Sequence, residues 1–109
     1  MRRDLPSRFE CIVLSANASL TTEEVMLRGL FVASTGGITI TLPTPNEPIN
    51  AAECVVVNNT NSNVTIACVN GFPNNGDSIT LAAGASAFLY CAQVSATVYR
   101  WAPIGATAS

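Results

Sequence analysis

The chain alternates between short apolar runs and clusters of small polar residues. Ile38-Thr39-Ile40-Thr41-Leu42 places threonine at every second position, the period of a strand with one wet and one buried face. Other runs are apolar throughout, such as Cys11-Ile12-Val13-Leu14 and Cys54-Val55-Val56-Val57. Strands are expected at 9–14, 30–32, 38–42, 53–57, 64–69, 78–81, 86–94 and 97–101. Between them lie turn formers: Gly36-Gly37, the run Asn58 to Asn63 with 64–69 returning as the partner strand, Asn75-Gly76 as a type I′ turn, and Ala82 to Ala85. Pro43, Pro45 and Pro48 stiffen a loop over 43–50. One helix is expected. Thr21-Thr22-Glu23-Glu24 fits a capping box with Thr21 at N-cap and Glu24 at N3, and Gly29 stops it. That is two turns at most, too short to stand alone.

About eight short strands with turn signals at intervals of roughly 8–12 residues predict an all-β protein. The expected architecture is a single β-sandwich or barrel-like, jelly-roll-like domain of antiparallel strands over 9–105. It has one short N-terminal helix, an N-terminal arm over 1–8 and a flexible tail over 106–109. No repeat or second domain is visible in 109 residues.

Composition sharpens this. The chain is 49% hydrophobic and only 11% charged, against about 25% charged in an average soluble domain. So few charges cannot cover the outside of a small domain. The apolar excess needs a partner, or the surface must be largely Ser, Thr and Asn. The net charge of −2, with five arginines and no lysine or histidine, argues against nucleic-acid binding and a polybasic membrane anchor. It also removes the commonest general base, the Schiff-base amine and the commonest metal ligand. No run is long enough to span a bilayer as a helix. The first residues lack the unbroken apolar stretch of a signal peptide.

Candidate chemistry is sparse. Glu23 and Glu24 are explained by capping. Glu53 and Cys54 are strand neighbours and point to opposite faces. Ser34-Thr35-Gly36-Gly37 lacks a phosphate-binding lysine. No enzyme and no cofactor is expected. Cys11, Cys54, Cys68 and Cys91 have no zinc-type spacing and sit inside apolar runs, so reduced core thiols are expected, although four cysteines also allow three disulfide pairings. The aromatics, Trp101 and Tyr99 included, are expected in the core. An exposed Tyr99/Trp101 pair would serve as an interface anchor or a sugar-stacking platform.

The capped helix, Ile38-Thr39-Ile40-Thr41-Leu42-Pro43, Val55-Val56-Val57-Asn58-Asn59, Ile79-Thr80-Leu81-Ala82-Ala83-Gly84-Ala85-Ser86 and Tyr99-Arg100-Trp101 occur in this order over residues 19–105. Taken together, they resemble the small β-modules of tailed-bacteriophage virion proteins, most closely capsid decoration (cement) proteins. The resemblance rests on strand and turn patterns and carries over no catalytic residue. It implies a virion component made in the host cytoplasm. It would form a homotrimer, bind the outer surface of the assembled major capsid protein shell and stabilise it. Arg2, Arg3 and Arg8, with Phe9, would form an arm that orders against an acidic neighbour. The competing expectation is a receptor- or carbohydrate-binding module of a tail or head fibre, which needs Tyr99, Trp101 or Phe72 exposed in a groove.

Overall fold

The computed structural model describes residues 11–27, 29–46, 49 and 52–104. Nine strands and one helix follow in the order β1 (Cys11–Leu14), β2 (Ala18–Ser19), α1 (Thr22–Leu27), β3 (Leu30–Ala33), β4 (Thr39–Thr41), β5 (Glu53–Asn58), β6 (Val64–Phe72), β7 (Gly76–Leu81), β8 (Ser86–Ser95) and β9 (Val98–Ile104). They form a five-stranded sheet in the order β1-β3-β5-β8-β9 and a four-stranded sheet in the order β2-β4-β6-β7. The strand-rich character expected from the period-two pattern is present. The expectation of antiparallel strands is corrected: β1–β3, β3–β5, β2–β4 and β4–β6 are all parallel. Only β5–β8, β6–β7 and β8–β9 are antiparallel. Neither sheet closes into a barrel.

This departure follows from the connections. β1, β3 and β5 each hand the chain across a short arch to the other sheet, as β2, β4 and β6. The chain therefore coils, and each coil lays its strands parallel to those before. The Asn58 to Asn63 segment is one such arch, so β5 and β6 are not hairpin partners. The arches stack through main-chain hydrogen bonds, Ser34 N–H to Leu14 O at 2.9 Å and Asn59 N–H to Ala33 O at 3.1 Å. The return paths carry α1 and the proline-rich loop. β7, β8 and β9 then finish both sheets with antiparallel pairings.

The helix forms as its sequence dictates. Glu24 N–H donates to Thr21 Oγ1 at 3.1 Å and Thr21 N–H donates to Glu24 Oε1 at 2.8 Å, the two reciprocal bonds of a capping box. Val25 anchors it in the core. Between β6 and β7 the positive φ values fall on Asn74 (65°) and Asn75 (61°), while Gly76 is extended at φ −69°. The tight turn lies one residue earlier than Asn75-Gly76, because asparagine also tolerates the left-handed region.

Both sheets contribute to one buried cluster. Phe31, Val56 and Ala87 share a row of the five-stranded sheet, and Ile40, Ile66 and Ile79 share a row of the other. All six are fully buried. At one end of the cluster Trp101 is also fully buried, its indole N–H donating to Pro43 O at 2.8 Å.

Candidate interaction surfaces

The two sheets present outer faces of opposite chemistry. On the five-stranded sheet, the register places Cys11, Leu30, Val55, Phe88 and Ile104 side by side on the outward side, one from every strand. A second row is Val13, Val32, Val57 and Ser86, and a third is Glu53, Tyr90 and Ala102. Val13 is 63% exposed and Ile104 53%. Leu30, Val32, Val55 and Val57 are half-buried. The only charge in these three rows is Glu53.

On the four-stranded sheet the corresponding rows are Thr39, Thr65 and Thr80, and Ser19, Thr41, Ala67 and Ser78. Here the pleat delivers hydroxyls to water and isoleucines to the core. Asn17, Ala18, Ser19, Thr39 and Thr41 line a shallow open groove of ≈ 220 Å³. Asn17 Oδ1 fixes its rim by accepting the Thr39 N–H at 2.9 Å. The groove holds hydrogen-bonding groups but no titratable side chain.

The site residues singled out from sequence fare differently. Arg2, Arg3, Arg8 and Phe9 lie outside the described residues. Trp101 is a core residue, not a surface anchor. Tyr99 is half-buried and packs against the core. Phe72 is fully buried. The exposed aromatic platform that sugar stacking requires is therefore not formed by Trp101 or Phe72. Among the described residues Tyr90 is the most exposed aromatic, at 37%.

The apolar face escaped the sequence reading, yet a signal for it existed. Strands buried on both sides read as continuous apolar runs, not as alternations. Cys11-Ile12-Val13-Leu14, Leu30-Phe31-Val32-Ala33 and Cys54-Val55-Val56-Val57 are such runs, and all three belong to the five-stranded sheet. The alternating runs, Thr39-Ile40-Thr41 and Ser78-Ile79-Thr80-Leu81, belong to the other.

All four cysteines are free thiols; Cys11 is exposed and Cys54, Cys68 and Cys91 are buried. Burial pushes Cys54 up to about 12. Burial also raises Cys68, with the Arg100 guanidinium drawing it partly back, and raises Cys91, with a main-chain hydrogen bond from Asn46 opposing. At pH 8, maleimide or a thiol-reactive disulfide is expected to modify Cys11 at once and the other three only after unfolding. Rapid modification of two or more thiols in the native protein would refute this. The linkage has a definite sign. Above pH about 9 the unfolded chain releases thiol protons that the native chain retains, so stability falls as pH rises, with a slope approaching roughly 1.4 kcal/mol per pH unit for Cys54. Urea unfolding at pH 8, 9 and 10 measures the slope. Among the described residues, no three His, Cys, Asp or Glu side chains converge as a metal site.

Comparison with known proteins leaves the chain unplaced: no family model, no curated protein and no solved structure matches it.

Proposed function

We propose that this protein is a structural component of a virus particle, a capsid decoration protein that binds the outside of the assembled major capsid shell and stabilises it. The observation that carries this reading is the pair of outer faces with few charges, one with apolar rows and one with hydroxyl-bearing rows. A domain built this way has contact surface on both sides and little surface devoted to charge. It suits a module packed between copies and a supporting shell. Many identical, individually weak contacts then sum across the lattice. Five of the twelve charged residues, Arg2, Arg3, Asp4, Arg8 and Glu10, fall within the first ten positions, and three, Glu53, Asp77 and Arg100, lie on strands. The N-terminal segment is the proposed electrostatic tether to the shell.

The test is co-sedimentation with empty shells assembled from the major capsid protein encoded in the same genome. Saturable binding at a fixed number of copies per shell is expected, weakened at least tenfold when residues 1–8 are removed. Raised shell melting temperature on binding is the second expected result. No binding to shells, together with binding to host-surface glycans, would overturn the reading in favour of an adhesion module.

A further inference from the structure

We infer that the outer face of the five-stranded sheet is a self-association surface, covered in solution by the same face of another copy of this chain. The inference rests on the reading of the chain as an assembly protein, and adds the surface and its occupant.

Valine and threonine are both β-branched and similar in shape, and both favour strands. The choice between them at an outward strand position is therefore decided by the surroundings of the side chain. Thr39, Thr41, Thr65 and Thr80 occupy such positions on the four-stranded sheet, and Val13, Val32, Val55 and Val57 occupy them on the other. The same fold thus has a sheet face made for water and one made to leave it.

Five strands at about 4.8 Å spacing span about 24 Å, and three outward rows about 6.8 Å apart span about 20 Å. The three rows hold twelve positions, so the footprint is about 390 Å² and two copies meeting face to face bury about 800 Å², the range of weak, transient association.

A foreign partner is normally selected by complementary charges, and these rows offer one carboxylate, Glu53, at their margin. Nothing there selects an oppositely charged protein. Two copies meet without juxtaposing like charges at the centre, where Val55 lies between Leu30 and Phe88. Phe88 and Tyr90 supply the aromatic contacts enriched in interface cores.

Sedimentation velocity with light scattering, on the full chain at about 1–100 µM, a range that brackets micromolar self-affinity, tests the inference. The wild type is expected as a closed dimer. Val55→Lys, which puts a charge at the centre of the face, is expected as a monomer with an unchanged circular dichroism spectrum. The double variant V55T/V57T keeps the strand preference, so its fold is retained, and is expected to weaken association at least tenfold. Thr80→Lys, on the opposite sheet, should leave the mass unchanged. A monomeric wild type at the highest concentration, or a V55T/V57T protein that associates as the wild type does, would overturn it. The shell-binding assay is read separately. An oligomer that ignores shells refutes the decoration role and leaves the shared face standing. A wild-type monomer that binds shells saturably does the reverse.

Discussion

Replacing Asn58 with alanine is expected to lower the stability of the protein by about 3 kcal/mol, a fall of roughly 12–20 °C in Tm for a domain of this size. Asn58 is a fully buried polar side chain at the end of β5. Its Nδ2 donates to Ser62 O at 2.8 Å, Leu81 O at 2.9 Å and Ala82 O at 3.1 Å, and its Oδ1 accepts from Thr60 N–H at 3.1 Å and Thr60 Oγ1 at 2.6 Å. Its main chain adds Asn58 N–H to Ala85 O and Gly84 N–H to Asn58 O. One residue therefore ties the third arch to the turn that carries the chain from β7 to β8. Alanine strips a donor from three main-chain carbonyls and opens a void among them. Desolvated groups left unpaired cost about 1 kcal/mol or more each. Asn58→Asp separates shape from hydrogen bonding. It keeps the outline but turns acceptors toward carbonyl oxygens, so its charged form is strongly disfavoured in the fold. Its folded-state pKa lies above the unfolded value, and the variant is expected to gain stability as pH falls from 7 to 4. Urea unfolding of both variants across this range is the measurement. A loss below about 1 kcal/mol for N58A, the range of ordinary surface changes, would show that the hub is dispensable.

Trp101→Ala is expected to be at least as damaging, about 3–5 kcal/mol, the range for deleting a buried large aromatic. Trp101→Phe should cost about 2 kcal/mol, since it retains most of the packing but leaves Pro43 O without the indole N–H. The donor that remains near that oxygen is the Cys68 thiol at 3.7 Å, a weak one. Because Trp101 is the sole tryptophan, its fluorescence reports directly: emission in the native wild type is expected to be blue-shifted and resistant to iodide quenching. If Trp101 were a contact on the surface of the molecule, W101F would leave stability untouched and change only association. Chemical unfolding of W101F beside its sedimentation behaviour distinguishes the two.

Element by element, what the sequence made legible was whatever local physics decides. The capping box at Thr21 and Glu24 formed because both of its bonds lie within one turn. The alternation of threonine and isoleucine in β4 was read correctly because a pleat sorts side chains with no reference to distant residues. Pairing direction was not legible, since a half-buried strand alternates in the same way beside a parallel or an antiparallel neighbour. The unequal steps from Cys11 to Leu30 and from Leu30 to Val55 hid the coiling from any search for a repeat. Asn58 was read as a turn former, and its position at an arch agrees. That its amide would be enclosed by Ser62, Leu81 and Ala82 depends on β7, more than 20 residues away. The apolar face was partly legible, in runs too continuous for a strand with one wet side. Trp101 was expected in the core by default and is found there, whereas the role of the first eight residues lies outside the described part of the chain.

The coiled order of the strands also has a consequence for how the chain acquires its structure during synthesis. From β1 to β6 no two consecutive strands are neighbours in a sheet, so among the described residues that stretch of the polypeptide leaves the ribosome with no local hairpin to form. The local hairpins, β6–β7 and β8–β9, come late, and the central strand β5 gains its second neighbour only when β8 has emerged. Closing distant pairings before nearby ones carries an entropic cost that slows folding. The nascent chain therefore spends most of its translation with apolar segments uncommitted, and commitment arrives from the C-terminal end.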